Sequence, residues 1–543
     1  MLRISELKLP LDHAPDALPA AIVARLGVRP DDLKGWSIWK RAHDARKKAA
    51  ILKVYIVDVD LADEAAVLQR LAGDPHLRPT PDTSYKPPVR APAAQRLRPV
   101  VVGAGPCGLF AGLILAEAGF NPIILDRGKV VRERTKDTWG LWRRGELNPE
   151  SNVQFGEGGA GTFSDGKLYS QIKDPRHLGR KVLTEFVQAG APPEILTEAH
   201  PHIGTFRLVT MVESLRAKIE ALGGEYRFQT RVTDVELERA PDGAQRLRGL
   251  HLHTGEFLEA DHVVFAVGHS SRDTFQALYE RGVHVEAKPF SIGFRIEHPQ
   301  SWIDKALFGP CAGHPDLGAA AYSLSHHCAN GRTVYSFCMC PGGTVVAAAS
   351  EPGRVVTNGM SQYSRNERNA NSGFVVGITP ADYPGDHPLA GIDLQRELES
   401  LAFVAGGGNY EAPGQLVGDF LAGRASTALG NVVPSYRPGV RPTDLAAVMP
   451  EYVITAMREA LPVFGRKIPR YDDPEAVLTG VETRTSSPIR MTRGPDFQSL
   501  NVRGLFPAGE GAGYAGGILS AGVDGIKVGE AVARAIVDAA VPV

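Results

Sequence analysis

Two glycine-rich turns, about four hundred residues apart, most constrain how this sequence can fold. The first, VVVGAGPCGLF, spans residues 100–110, and the second, GLFPAGEGAGYAGGILSAGVDGI, spans residues 504–526. Each turn follows a strand-like apolar run and precedes a helix-like stretch. This arrangement predicts one α/β unit that is opened by a long insertion and closed again near the C-terminus.

The first turn carries the spacing typical of a dinucleotide-binding fingerprint. Gly103, Gly105 and Gly108 follow a run of three valines and open a helix-like stretch, and Asp126 closes the next strand-like run. The glycines permit a tight turn, close approach of the backbone to a pyrophosphate, and close packing of helix on strand, while the carboxylate accepts hydrogen bonds from ribose. We therefore predict dinucleotide binding rather than a turn that serves packing alone.

The rest of the sequence divides into segments by pattern. Helix-like stretches occur at 205–224, 392–405 and 442–462, with strand-like runs between them. We predict a Rossmann-like binding domain, with a parallel sheet and helices, that is interrupted by an inserted α+β substrate domain and preceded by a small α+β domain. The predicted limits are 1–74 for the N-terminal domain, 75–96 for a proline-rich linker, 97–275 and 491–543 for the two parts of the binding domain, and 276–490 for the insert.

Composition excludes several classes of protein. The 543 residues carry a net charge of −1, so no global charge attracts nucleic acid or an anionic membrane. Five cysteines do not suggest a disulfide framework, and no apolar run is long enough to span a membrane. The first residues lack the pattern of a signal peptide. We expect a cytoplasmic protein that acts on a small-molecule substrate and has neither a membrane nor a nucleic acid as its partner. The sequence pattern does not indicate an oligomeric state.

The sequence resembles the glutathione-reductase-like superfamily of flavoproteins at four places in the family's order. These are the fingerprint at 103–126, Gly158-Gly159 with Thr162, VVFAVG at 263–268, and LFPAGEG at 505–511. Val267 replaces the family's usual threonine, and Glu510 stands where aspartate is commoner. The resemblance implies non-covalent FAD as the cofactor.

The same resemblance implies which residues meet FAD. The backbone of Val232 would face the adenine, and Gly516, Gly517 and Ile518 would approach the pyrimidine edge of the flavin. There, backbone N–H groups and the dipole of the last helix would stabilise the reduced anion. The implied cofactor-binding residues are Gly103, Ala104, Gly105, Pro106, Cys107, Gly108, Asp126, Arg127, Gly158, Gly159, Thr162, Val232, Ala266, Gly268, Gly509, Glu510, Gly516, Gly517 and Ile518.

No second glycine fingerprint of the kind that marks a separate NAD(P) domain is found, so the chain resembles the single-Rossmann branch of the superfamily. More narrowly, it resembles bacterial proteins named FAD-dependent dehydrogenases or NAD(P)/FAD-dependent oxidoreductases, on the sequences at 147–168, 338–366, 409–421 and 506–518. That resemblance implies a dehydrogenase or reductase that moves hydride between flavin N5 and a small substrate held by the insert, with NAD(P)H as a possible transient donor.

Candidate reacting groups lie in two stretches. Asp165 and Lys167, in GEGGAGTFSDGKL, would lie near the flavin, although the same residues suit a simple turn with a solvated lysine. In the insert, Asn358 and Arg365 belong to a stretch rich in hydrogen-bonding side chains, which suits either a polar pocket or an exposed loop. We assign Arg365 the role of gripping a substrate carboxylate.

Two further features leave alternatives open. Cys311, Cys328, Cys338 and Cys340 fall close together with several histidines, but C-x-C is neither the usual redox spacing nor a zinc pattern, so packing cysteines and no metal are predicted. The segment 34–53 carries seven Lys or Arg residues; a solvated strand face is favoured over an RNA- or protein-binding surface. A flavin monooxygenase is the remaining alternative activity.

Overall fold

The computed structural model describes residues 1–93, 95–240 and 243–540 of the chain. Within these ranges the strands form five sheets, with helices packed against the larger ones, which confirms the predicted mixed α/β fold class. Residue 94 of the predicted linker and residues 541–543 of the predicted final segment lie outside the described residues.

A four-stranded antiparallel sheet forms the N-terminal part of the chain. Two helices, Ala17–Leu26 and Glu64–Arg70, pack against it around their own apolar cluster. The first helix ends at Gly27, whose φ of 60° is the left-handed conformation that glycine adopts without strain. The strand order is Leu33–Asp44, Leu52–Leu61, Leu2–Pro10 and Leu77–Pro79.

The basic segment 34–53 contributes to contacts between this sheet and the insert. The Lys48 ammonium donates to the carbonyl of Ala306 at 2.6 Å, and Lys53 pairs with Asp316 at 2.5 Å. Part of the positive charge that characterises this segment is therefore used to hold the N-terminal sheet against another part of the same chain.

A five-stranded parallel sheet forms the centre of the molecule. Its inner strands consist of apolar residues with buried side chains on both faces, which is the pattern of parallel strands covered by helices on both sides. The strand nearest the C-terminus completes the sheet that begins at residue 100. The strand order is Leu505–Pro507, Val263–Phe265, Val100–Val102, Ile123–Leu125 and Glu225–Arg227.

The last helix, Ile518–Ala540, packs along the first helix of this unit, Pro106–Glu117. A Cβ atom at Gly525 would lie 2.2 Å from the carbonyl oxygen of Cys107, so only glycine permits this approach. The close contact holds the two ends of the α/β unit together. The other helices of the unit are Val131–Arg144, Leu178–Gln188, Thr205–Ala221 and Arg272–Glu280.

Smaller elements complete this unit. A side sheet of four strands lies next to the parallel sheet, with the strands Phe257–Glu259, Gln245–Leu252, Val232–Arg239 and Val502–Arg503. A two-stranded ladder, Glu286–Ala287 with Ile489–Arg490, marks where the chain enters and leaves the insert. Short 3-10 turns occur at Pro30–Asp32, Ala160–Phe163, Pro193–Leu196, Gly309–Cys311, Pro380–Asp382 and Leu445–Val448.

The insert is built on an eight-stranded sheet. Its main order is Ser325–His327, Thr333–Ala347, Asn369–Ile378, Phe290–Pro299, Val477–Glu482, Ala412–Leu416 and Val440–Pro442, with Thr357–Ser361 paired to the second of these. The helices are Gln300–Phe308, Ala390–Ala405, Val417–Ala422 and Glu451–Lys467.

The helix predicted at 442–462 begins only at Glu451. Pro450 immediately precedes it with an extended backbone (ψ 143°), and a proline disfavours helical geometry in the residue before it. Residues before this proline instead form a short strand and a 3-10 turn. The apolar spacing alone did not reveal this break.

A buried ion network joins the insert to the parallel-sheet unit. Glu399, on an insert helix, has no exposed side-chain surface and pairs with Arg272 at 2.7 Å and with Arg484 at 2.9 Å. Thr483 donates a further hydrogen bond to the same carboxylate at 2.9 Å. Burial by itself would raise the pKa of Glu399, but the two guanidinium groups outweigh it and hold that pKa well below its usual range.

We predict that Glu399→Gln destabilises the protein by about 3–5 kcal/mol, because Arg484 is left buried without its carboxylate partner and Arg272 keeps only its ion pair with Glu351. The folded-state pKa lies below the unfolded one, so the stabilisation is present at neutral pH and is lost as the pH falls through the folded-state pKa. The measurement is the free energy of unfolding of both proteins at pH 7.

The matched control is Glu397→Gln, at an exposed position of the same helix. Its free energy of unfolding should stay close to that of the unsubstituted protein. Equal stability of the two variants would show that the network contributes nothing to holding the insert in place.

Candidate cofactor and active site

One cavity of about 430 Å³ lies between the parallel-sheet unit and the insert. Gly103, Gly105 and Ala266 contribute to its wall from the carboxyl ends of parallel strands, where open α/β sheets bind their ligands. Phe337 and Cys338 contribute from the longest strand of the insert. Both units are therefore needed to form the site.

The three fingerprint glycines have separate structural roles. Gly103 has a φ of 104°, and a Cβ there would lie 2.3 Å from the carbonyl oxygen of Ala266. A Cβ at Gly108 would lie 1.8 Å from the carbonyl oxygen of Gly103, so this glycine allows the helix to pack on the turn. Gly105 lines the cavity, and a Cβ there would meet the nearest protein atom only at 3.5 Å. Its backbone therefore presents an open surface to a ligand.

Asp126 holds this turn in place as well as facing the cavity. Its Oδ2 accepts from the backbone N–H of Ala104 at 2.8 Å, and its Oδ1 accepts from Gly128 at 2.8 Å. Each carboxylate oxygen keeps a second lone pair for a ribose hydroxyl. The neighbouring Arg127 lies over the ring of Phe155, with 4.2 Å between the guanidinium carbon and the ring centroid.

Most of the residues expected to bind the cofactor meet at this one cavity, and the others support its wall. Gly158 donates its N–H to the carbonyl of Ala104 at 2.8 Å and packs against Thr162. Gly509 donates its N–H to Asp524 at 2.8 Å. The predicted residues in the wall itself are Gly103, Gly105, Pro106, Cys107, Asp126, Arg127, Gly159, Val232, Ala266, Gly268, Glu510, Gly516, Gly517 and Ile518.

The C-terminal glycine turn forms one end of the wall. A Cβ at Gly516 would meet no protein atom within 4 Å, so the backbone is open there. The helix that begins at Ile518 starts at this point, and helix N-termini stabilise negative charge. Glu510 lies on the same wall, where burial raises its pKa to about 7.

The two candidate catalytic residues of the first stretch lie on the wall but differ in their contacts. Lys167 donates a hydrogen bond from Nζ to the carbonyl of Met339, which ties the loop to the insert. Burial opposes the charge of Lys167, but electrostatic attraction to groups such as Cys338 and Asp165 outweighs it and raises the pKa of Lys167.

Arg365, the predicted partner of a substrate carboxylate, forms an ion pair within the protein. Its Nε donates to Oδ1 of Asp165 at 3.0 Å, and the Asp165 side chain is 1% exposed. Arg365 therefore holds the carboxylate of Asp165. This ion pair joins the insert to the loop at residues 156–168, which carries Asp165. A grip on a substrate carboxylate would require breaking this ion pair.

Several wall residues were missed or misread from the sequence. His269 and Ser270 directly follow the predicted VVFAVG element, so their position near a strand end was a usable signal. Arg484 and Thr485 reach the wall only through the return of the insert, which no local pattern reveals. Cys338, which was interpreted as a packing residue, lies on the wall.

His326, Cys328 and Glu459 offer ligand atoms within 4.8 Å of one another. They are held by protein partners: His326 hydrogen-bonds Glu459 at 2.8 Å, and the Cys328 thiol donates to the carbonyl of Ala456 at 3.5 Å. This cluster lies in the insert, outside the cavity wall described above.

The residues present fit a dinucleotide cofactor. The backbone at Gly105 and at Gly516 is open to the cavity, and a helix begins at each of these two places. Asp126 and Glu510 contribute carboxylates to the same wall. This is the donor set that an extended dinucleotide with a central pyrophosphate requires. Separately, no helix among the described residues is long and apolar enough to cross a membrane.

Family models match two parts of the chain. Residues 289–485 match "FAD-dependent protein, C-terminal domain-like", and residues 1–60 match a domain of unknown function, DUF8436. The first range is that of the eight-stranded sheet. Together with the dinucleotide site beside that sheet, this match identifies FAD as the cofactor and the protein as an oxidoreductase.

Solved flavoprotein structures resemble the chain at low similarity. Quinol fumarate reductase of E. coli is 12% identical, with 82% of this chain and 71% of that chain covered and a TM-score of 0.36. Glycine oxidase from Geobacillus kaustophilus is 12% identical, with 80% and 94% covered and a TM-score of 0.33. At such TM-scores the likeness carries no inference about the reaction of this protein.

A sequence relative gives the family. A protein of Clostridium beijerinckii, titled only "Uncharacterized protein", is 46% identical over 536 residues, which covers 97% of this chain and 98% of that one. Because this identity extends over nearly the whole length of both proteins, the chain belongs to the same family as the C. beijerinckii protein.

Proposed function

We propose that this protein is a dehydrogenase or reductase with non-covalent FAD, acting on a small substrate enclosed between the flavin and the insert. The observation that carries the proposal is a cavity walled by both units, with the glycine turns on one side and Phe337 and Cys338 on the other. When bound, FAD supplies two-electron chemistry at its ring system.

The residues of the chain would bind, orient and shield the reacting groups. The turn at Gly105 and the helix that follows it would hold the pyrophosphate with backbone N–H groups. Lys167 and the N-terminus of the last helix would place positive charge beside the ring, which favours its reduced, anionic form. The insert strand Thr333–Ala347 would exclude water from the opposite side.

NADH or NADPH would serve as a transient donor. The direct test records the visible spectrum of the purified full-length protein under anaerobic conditions before and after each nucleotide is added. We expect a flavin spectrum, release of FAD on denaturation, and bleaching by one of the two nucleotides. Protein that never retains flavin would overturn the proposal. If the protein retains flavin but neither nucleotide bleaches it, only the assignment of NADH or NADPH as the electron donor would be wrong.

Monooxygenation and macromolecule binding are the alternatives. A monooxygenase would consume oxygen only with its substrate present. The alternative in which the basic segment 34–53 binds RNA or a protein has less support from the structure. Lys48 and Lys53 contact the insert, so fewer basic side chains of this segment are available to bind a partner than the sequence suggested. The dehydrogenase or reductase assignment is therefore preferred over that second alternative.

The first prediction from this site concerns Gly105→Ala. The backbone there has a φ of −76°, and a Cβ finds space within the protein, so the fold should tolerate alanine. The methyl group would enter the space proposed for the pyrophosphate, and the Kd for FAD should rise at least about tenfold, or about 1.4 kcal/mol. The measurement is fluorescence titration of the apoprotein with FAD.

Gly377→Ala is the matched control. Gly377 lies on an insert strand away from the cavity, and a Cβ there would meet its nearest neighbour only at 3.9 Å. Both variants should melt at similar temperatures without FAD, and only Gly105→Ala should bind FAD more weakly. Equal affinity in the two variants would contradict the placement of the pyrophosphate.

A second prediction concerns Lys167→Met. Removing the positive charge next to the ring should lower the midpoint potential of the flavin by about 30–60 mV, since about 30 mV corresponds to a tenfold change in a two-electron equilibrium. The measurement is spectroscopic titration against a reference dye. The control is Lys173→Met, at an exposed position of the same loop; an equal shift in both variants would rule out a specific role for Lys167.

A further inference from the structure

Cys338 and Cys340 form a thiol pair at the cavity. Cys338 lies on the wall, and Cys340, with no exposed surface, lies directly behind it on the same strand. Both thiols are free. The Cys340 thiol donates to the backbone carbonyl of Cys338 at 3.4 Å. Cys338 is thus a partly buried residue of the wall, whereas Cys340 is enclosed by protein.

The strand is distorted where the pair lies. Phe337 is opposite Gly373 and Cys340 is opposite Asn371, so the strand Thr333–Ala347 carries one extra residue at this place. Cys338 itself has a φ of 43°, which is uncommon for a residue with a side chain. Bulges of this kind re-aim side chains beside active sites. A cysteine that served only packing would need neither the bulge nor the positive φ.

Two cations hold the distorted segment. Arg295, fully buried, donates from Nη1 to the carbonyl of Cys338 at 2.9 Å. Lys167 donates to the carbonyl of the intervening residue, Met339. The two positive charges therefore converge on the short stretch that carries both thiols.

The groups around the pair shift the pKa values of the two thiols in opposite directions. The hydrogen bond from Cys340 lowers the pKa of Cys338, Lys167 and Arg295 lower it further, and burial and Asp165 oppose this effect without cancelling it. Conversely, the hydrogen bond to Cys338 and burial raise the pKa of Cys340. Glu482, paired with Arg295 at 2.7 Å, and Glu510 also face this region. These surroundings therefore favour the ionised form of Cys338 and the protonated form of Cys340.

We propose that Cys338 and Cys340 are a redox-active dithiol that exchanges two electrons with FAD. In the oxidising direction one S–S bond forms between the two sulfurs, and the pair gives up two electrons and the proton of Cys340. Oxidised FAD takes up these two electrons and one proton and becomes the anionic reduced flavin. The reverse reaction returns the pair to thiolate and thiol.

This inference rests on the proposed function because it requires FAD in the cavity. It adds a second two-electron centre, so that a substrate or partner that reacts with thiols or disulfides would exchange electrons with the flavin through Cys338. A disulfide between residues two apart closes a small, strained ring, and strained disulfides are readily reduced.

The test is anaerobic reduction of the air-oxidised, FAD-loaded full chain with dithionite, counting electrons taken up per FAD. The proposal expects four in the unsubstituted protein and two in Cys338→Ser and in Cys340→Ser. The control is Cys328→Ser, another buried cysteine of the insert, which should keep four. Two electrons in the unsubstituted protein, or four in the Cys338 and Cys340 variants, would overturn the proposal.

A second measurement needs no variant and therefore does not depend on how the variants fold. Oxidised and dithionite-reduced holoprotein are denatured, alkylated and analysed by mass spectrometry. Cys338 and Cys340 should be linked to each other before reduction and alkylated after it, while Cys311 should be alkylated in both samples. Alkylation of Cys338 and Cys340 in the oxidised sample would overturn the proposal. Protein without FAD would instead contradict the proposed function, so the two failures are distinguishable.

Discussion

The structure depends on the contact between the first and last helices of the parallel-sheet unit. Gly525 lies against the backbone at Cys107, at a distance that a side chain would not allow. This contact places the strand Leu505–Pro507 at the edge of the parallel sheet and the second glycine turn opposite the first. The site exists because the two ends of a long chain are brought to one sheet edge, at the carboxyl ends of its strands.

The insert is held to this unit by buried charge as well as by apolar packing. Glu399 is shared by Arg272 and Arg484, and Asp165 pairs with Arg365 across the same boundary. Buried pairs of this kind are costly to break because each leaves an uncompensated charge. They therefore fix the position of the insert, and with it the wall that closes the cavity.

The cavity combines two types of chemistry on opposite walls. One wall offers open backbone, helix N-termini and carboxylates, the groups that bind a dinucleotide. The other offers a bulged strand that carries Cys338 and whose backbone carbonyls accept hydrogen bonds from Arg295 and Lys167. Lys167 connects the walls, since it belongs to the loop of the first and donates to the backbone of the second. Its charge would act on both the flavin and the thiol.

The sequence by itself determined the features that depend on neighbouring residues. The spacing of Gly103, Gly105 and Gly108 after an apolar strand defines the turn, because a Cβ at Gly108 would meet the carbonyl oxygen of Gly103 within the same short motif. The α/β class and the return of the C-terminus to the sheet followed from the same kind of local pattern. The family resemblance then indicated FAD.

Only the tertiary structure decided the features that depend on distant partners. Arg365 and Asp165 are 200 residues apart, and nothing local indicated that the arginine already holds a carboxylate. From the sequence pattern, Cys338 and Cys340 were interpreted as ordinary strand residues. The bulge and the contacts of Arg295 and Lys167 with this segment are visible only in the folded structure. Packing and charge at these places arise from segments that meet only in the folded chain, so no sequence window contains them.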